Sequence, residues 1–415
     1  MNRRVRLTRN CALIAVFALG CLAGSTSARA ASGGESAVAI PAQARSKPKG
    51  KCPPSSDLEA GLGEASALMS QAQFQEAAAE LRPVASNDCD PRASLLFAAA
   101  LEGHGNVPEA TAVLQRAHTI WPSDDSIAAS LAREYLNANQ IDKAVGALTR
   151  FHATAKTPEQ EMRMAIVVYM AGHRLASAQT VAEVAWRAYP SAETLLLLAN
   201  TLQLQGRYPD VIRLLGNRRA TYGDSAKFLV TLAESEFDAS SFKTARDDLQ
   251  HAISLDSRMY QAHYLLGNVL AKLNDADGAI SEYQTAIDLA PNQPRTYFQL
   301  ALVLRAKQDV AGEQRVLEQA LTADNSYAPA QCEMGRILLE GHRPADAVAH
   351  LNIAIQANPR SEEAYFLLAR AYAQLGEKDK SNEMVKRLLA VKKENQPKQG
   401  GKDQNHTPGG VSTNP

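Results

Sequence analysis

Two rows of side chains recur at a 34-residue step in the C-terminal half of this 415-residue sequence. The first is Tyr264, Phe298, Cys332 and Phe366; the second, one helical turn further on, is Asn268, Leu302, Arg336 and Arg370, with Arg305 beside it. Aromatic rings offer rigid apolar area, an asparagine amide pairs with a peptide backbone as both donor and acceptor, and guanidinium groups fork onto carboxylates. This is a chemistry of recognition. Two readings stand open. Either the rows line a surface for an extended or helical peptide with apolar anchors and acidic groups, or the aromatics fill gaps between helices and the arginines are solvated. Asn200 occupies the same place in an earlier repeat and would carry the surface further back.

Catalytic chemistry finds no comparable foothold. The sequence has no His-Glu-x-x-His, no phosphate-cradling loop ending in Gly-Lys-Ser/Thr and no Gly-x-Ser-x-Gly elbow. His342 and His350 are eight apart with no further ligand-type residue at coordinating spacing, so no metal site is expected. Gly61-Leu62-Gly63 follows no strand and lacks a third glycine, which makes it a frayed helix cap rather than a nucleotide loop. Cys332 could act as a nucleophile if His263 approached it, but a cysteine on a helix face reads first as packing. No catalytic residue and no cofactor is expected. Between residues 58 and 390 there are 31 basic and 40 acidic residues, an excess that repels phosphate backbones and excludes nucleic acid.

The elements that must position these rows are written in the same beat. A large apolar residue followed by a small one recurs at Leu198-Ala199, Leu232-Ala233, Leu266-Gly267, Leu300-Ala301, Met334-Gly335 and Leu368-Ala369. In a second helix, Ala245, Ala279 and Ala347 are followed four residues on by Leu249, Tyr283 and Leu351, then three on by Ala252, Ala286 and Ala354. Spacings of four and three form one helical stripe, and small residues let two backbones approach closely. Pro122, Pro190, Pro291 and Pro359 then stop the helix. Each unit is helix, turn, helix, stop, too thin to bury its apolar face without stacking on its neighbours.

With these residues the sequence resembles the tetratricopeptide repeat family. The stretch from Met259 to Asn292 is the best copy, with Leu266, Gly267, Leu270, Ala279, Tyr283, Ala286 and Pro291 in the family's places and His263 where it prefers tryptophan. The resemblance implies an all-α solenoid, a right-handed superhelix of about ten helix-turn-helix units over residues 58–395. It also implies that the first helices form a concave wall that binds peptide segments, here Tyr264, Asn268, Phe298, Arg305, Arg336, Phe366 and Arg370, with Asn200 further back. Glu313 and Ser381 in place of alanine, Arg218 in the fifth unit and one residue lost between Ala165 and Leu198 mark units expected to be looser or hinged. Gly61 and Gly63 each cost a helix interior roughly 1 kcal/mol against alanine. The four leucines Leu195–Leu198 make either a deeply packed layer or an exposed patch.

The ends address a compartment. Arg3, Arg4, Arg6 and Arg9, an apolar run from Cys11 to Gly24 and Ala28-Arg29-Ala30 make residues 1–30 a secretory signal, too short in its apolar run to span a membrane. Alternatively Phe17–Cys21 resembles a lipoprotein processing box, with Cys21 carrying the lipid and giving the one expected route to membrane attachment. Residues 31–57 read as a flexible linker and 396–415 as a disordered tail. Cys52 lies before the first helix and Cys89 after the second, neighbouring ends of an antiparallel hairpin, so a disulfide is expected there or else free thiols. The expectation is a non-enzymatic protein-protein scaffold or adaptor of the bacterial periplasm or cell envelope, supporting assembly or secretion. The alternative is a periplasmic module that captures free peptide or saccharide chains.

Overall fold

The computed structural model describes residues 52–396. The expected signal at 1–30, Cys21, nearly all of the linker up to residue 51 and the tail beyond 396 lie outside them. The described residues form 21 helices and no strand. No helix among them is long and apolar enough to cross a membrane. They fall into two compact units that meet in sequence at Ser240–Ser241.

The first unit holds α1 (Ser55–Ser70), α2 (Phe74–Ser86), α3 (Pro91–Gly103), α4 (Val107–Ile120), α5 (Asp125–Asn137), α6 (Ile141–Ala147), α7 (Glu159–Ala171), α8 (Leu175–Ala188), α9 (Ala192–Leu204), α10 (Tyr208–Gly216), α11 (Arg219–Tyr222) and α12 (Ala226–Asp238). The second holds α13 (Phe242–Leu255), α14 (Tyr260–Lys272), α15 (Ala276–Leu289), α16 (Pro294–Ala306), α17 (Val310–Ala323), α18 (Ala328–Glu340), α19 (Pro344–Ala357), α20 (Glu362–Gln374) and α21 (Lys378–Asn395). In the second unit each first helix packs on its own second helix, α14 on α15 through α20 on α21, and each second helix packs on the next first helix. The beat thus becomes one continuous core from Tyr264 to Ala371.

Small residues set how close the paired helices come. A Cβ on Gly267 would stand 2.6 Å from the Tyr283 ring, and one on Gly335 would stand 2.6 Å from Leu351. Turns between paired helices share a second device. The residue at each turn adopts positive φ, as at Ala72, Asn139, His173, Asn274, Gln308 and His342, with glycine at Gly105, Gly206 and Gly376. That left-handed residue lets the following N–H reach back to close the helix, as Asp275 N–H does to the Leu270 carbonyl and Asp309 N–H to Leu304.

The place where the family prefers tryptophan keeps a donor without the indole. His263 Nε2 donates to the Ser257 carbonyl at 3.1 Å, Tyr297 Oη to Pro291 at 3.1 Å, and Gln331 Nε2 to Asn325 at 2.6 Å. Each reaches six residues back and ties the first helix to the turn before it. His263 departs from the family's tryptophan in type and shares this role with Tyr297 and Gln331, which differ from it in sequence.

Several expectations about irregular units change. Glu313 is buried and ion-paired to Arg336, and Ser381 Oγ donates to the Ala369 carbonyl at 2.9 Å, so both replacements tie their helices down. The residue lost between Ala165 and Leu198 comes out of the link Tyr189–Ser191, where Ser191 and Thr194 build a reciprocal cap for α9. The break at Arg218 is real: α10 ends at Gly216, and the Arg218 guanidinium lies 5.6 Å from the Trp186 ring centre. Gly61 and Gly63 lie inside α1 and form no cap. The leucine run is a packed layer, with Leu195 and Leu198 buried and Leu196 and Leu197 half-buried. The α6 helix is short, and the segment after it is held by Tyr169 Oη donating to the Leu148 carbonyl at 2.8 Å and Tyr189 Oη to Thr157 at 3.1 Å.

Before α1, Cys52 is bonded to Cys89 with a Cα separation of 5.6 Å. The bond joins the start of α1 to the end of α2.

Candidate interaction face of the first helices

The two recurrent rows separate once the helices pack. Directly beneath them, Leu266-Gly267, Leu300-Ala301, Met334-Gly335 and Leu368-Ala369 are buried. Two residues before each pair, the aromatic row turns toward the next repeat. Tyr264 is buried, its ring stacked on Tyr260 at 6.0 Å, 6.3 Å from Tyr283 and covered by the Arg295 guanidinium at 4.7 Å. Phe298 is half-buried, edge-on to Tyr327 at 6.0 Å. Cys332 is buried too. Phe366 alone of this row is exposed. For Tyr264, Phe298 and Cys332 the gap-filling reading therefore holds, because each first helix needs bulk to meet the next.

The second row stays accessible. Asn268 and Leu302 are half-buried, Arg336 is half-buried and Arg370 is exposed. Asn268 Oδ1 accepts from Tyr283 Oη at 2.9 Å, which leaves its amide N–H groups to the outside. Asn200, in the first compact unit, is half-buried at the corresponding place of α9.

The arginines are neither free forks nor simply solvated. Arg336 binds Glu333 at 2.9 Å, Glu340 at 2.7 Å and also Glu313, while Arg305 binds the second oxygen of Glu333. Glu313 and Glu333 are buried, so they depend on these cations. Burial of Arg336 opposes its charge, but the hydrogen bonds it donates to Glu340 and Glu313 outweigh it and keep the guanidinium protonated. Two cations against three carboxylates leave this patch without a surplus for an acidic ligand. Of Arg305, Arg336 and Arg370, the last alone makes no ion pair among the described residues and offers an uncommitted guanidinium.

Residues weighed for chemistry are placed elsewhere. Burial pushes the Cys332 thiol up to about 12, so it stays protonated and unreactive at neutral pH. His263 is engaged with Ser257 and, at 2.7 Å, with Glu282. His342 sits in a turn, whereas His350 Nδ1 donates to Gln331 Oε1 at 2.6 Å. No group of three or more His, Cys, Asp or Glu able to hold a metal occurs among the described residues.

A sequence profile described as tetratricopeptide repeat matches residues 62–125, 230–294 and 332–390. Within those residues the chain carries tetratricopeptide repeats. Such repeats are protein-interaction scaffolds and generally non-catalytic. The repeat chain is 23% identical over 190 residues to anaphase-promoting complex subunit 3 of Schizosaccharomyces pombe, covering 46% of this chain and 28% of that protein. It is 34% identical over 86 residues to a probable biofilm formation methyltransferase, WspC, of Pseudomonas putida, covering 21% of this chain and 20% of that one. The chain thus spans between a fifth and about a quarter of the length of these curated relatives. Among solved structures it is similar to PilF of Pseudomonas aeruginosa, at 17% identity and a TM-score of 0.44, covering 48% of this chain and 90% of that one.

Proposed function

We propose that this tetratricopeptide-repeat chain is a non-enzymatic scaffold of a bacterial cell envelope that holds partner proteins by peptide segments laid across its first helices. The observation that carries the reading is the ladder Asn268, Leu302 and Arg370, side chains left accessible at whole repeat intervals above a closed core, with Arg336 in the same row held by Glu313, Glu333 and Glu340. Rigid presentation of a few groups at fixed spacing suits recognition, since little side-chain order is lost on binding. The amide N–H groups of Asn268 and the apolar Leu302 suit a peptide backbone and an apolar anchor. Acidic specificity is confined to the Arg370 end.

Export is supported by the arginine-led apolar segment ending in Ala28-Arg29-Ala30 and by the Cys52–Cys89 bond, since disulfides persist in oxidising compartments. The experiment is photocrosslinking in intact cells, with the reactive residue at Leu302 and, as control, at exposed Glu318 on α17. A protein adduct at Leu302 that is absent at Glu318 supports the reading. An adduct at Glu318 alone overturns it, and saturable uptake of free peptides with no adduct indicates a capture module instead.

A further inference from the structure

Helix α21 ends the second unit with a face that no described helix covers. Its Val385 and Leu389 stand one repeat after Leu351 and Ile355 of α19, two after Leu317 and Leu321 of α17, and three after Tyr283 and Ile287 of α15. Tyr283, Leu317 and Leu351 are fully buried on second helices packed between their own first helix and that of the following repeat. Val385 is instead 42% exposed and Leu389 61%. Phe366, 57% exposed, occupies the place of Tyr264, whose ring meets Tyr283 at 6.3 Å. Three bare apolar side chains therefore mark the positions that elsewhere grip a first helix.

Charge narrows what could sit there. At about 100° per residue, Val385 and Leu389 share a face of α21 with Lys378, Asn382, Lys392 and Lys393; Lys386 and Asp379, seven residues apart, lie together at its edge, and Glu383 and Glu394 fall on the other side. All four lysines are exposed and none makes an ion pair among the described residues. A second copy of the chain meeting this face with its own would set lysine against lysine. Residues 397–415 hold one large apolar residue, Val411, and do not supply an apolar stripe.

We propose that this end face seats an amphipathic helix of a partner protein, with an apolar stripe flanked by glutamates or aspartates, docked where the first helix of a further repeat would lie. The stripe covers Phe366, Val385 and Leu389, and the flanking carboxylates meet Lys378, Lys386, Lys392 and Lys393. An anionic membrane surface would also attract four lysines. It would not require apolar residues from two helices arranged as they are where a third helix packs.

The test uses the full chain and two synthetic helical peptides that share one leucine stripe, one with glutamate and one with lysine elsewhere, followed by fluorescence anisotropy. The acidic peptide should bind and the basic one should not. Leu389→Glu with Val385→Glu, both on the surface and checked by circular dichroism, should weaken binding at least tenfold. Lys386→Glu with Lys393→Glu should reverse the preference toward the basic peptide. Undiminished binding to the Val385/Leu389 variant overturns the proposal. So does pelleting with phosphatidylglycerol vesicles in the absence of peptide binding, or a dimer in sedimentation that Leu389→Glu dissolves.

Discussion

Gly267 faces Tyr283 so closely that a Cβ on the glycine would lie 2.6 Å from the ring. Tyr283 cannot retreat, because it is fully buried and its hydroxyl is bound to Asn268. Gly267→Ala should therefore destabilise the second unit by about 1–3 kcal/mol, the usual cost of overpacking a closed core. Chemical denaturation of the variant measures it, and a change within a few tenths of a kcal/mol would mean that α14 and α15 can slide apart.

Arg336 should behave as a structural residue and Arg370 as a ligand-facing one. Removing Arg336 strands buried Glu313 and leaves buried Glu333 with Arg305 alone, so Arg336→Ala should cost about 3–5 kcal/mol. Arg370→Ala should leave the melting temperature unchanged while weakening partner crosslinking at Leu302. Equal stability losses for the two would contradict the ion-pair assignment.

The Cys52–Cys89 bond closes a loop across 37 residues and should contribute roughly 3 to 4 kcal/mol by restricting the unfolded chain. Cys52→Ser with Cys89→Ser is expected to unfold α1 and α2 first, seen as early hydrogen exchange there. Proteolysis patterns indistinguishable from wild type would show that the hairpin holds without its bridge.

Gln308 holds φ 62° in the turn between α16 and α17, a region that glycine occupies without steric cost. Gln308→Gly should stabilise the chain by up to about 1 kcal/mol. The reverse change at Gly376, φ 81°, should cost a similar amount. Thermal melts of the two variants should move in opposite directions.

Glu161 accepts from Ser126 Oγ at 2.5 Å through one oxygen, while its other oxygen is buried without a partner. Burial, with Asp124 and Asp125 nearby, holds this carboxyl above the ordinary carboxylate range. The folded chain thus keeps the proton longer than the unfolded chain. Its penalty is absent below the ordinary carboxylate pKa and grows as pH rises through the folded value. Glu161→Gln should stabilise the first unit by about 1 kcal/mol at neutral pH, with the gain vanishing near pH 4. A gain independent of pH would point to packing instead.

The sequence by itself determined the repeat. The 34-residue step of Leu-Gly and Leu-Ala pairs, the Ala279-Tyr283-Ala286 stripe and the stopping prolines admit one solution, paired helices that stack, because only small residues at those places let backbones meet. It also placed the accessible row, since Asn268 and Arg370 lie one residue beyond a pair that must be buried. Tertiary structure decided which side chains remain available. Whether Tyr264 faces solvent depends on Arg295 of the next helix, and whether Arg336 can meet a ligand depends on Glu313, Glu333 and Glu340, of which Glu313 lies 23 residues away. The exposure of Phe366, Val385 and Leu389 has the same origin, for their periodicity matches covered residues and no described helix packs over them. Periodicity fixes the face of one helix, but burial and charge pairing belong to the neighbours, which the local pattern does not encode.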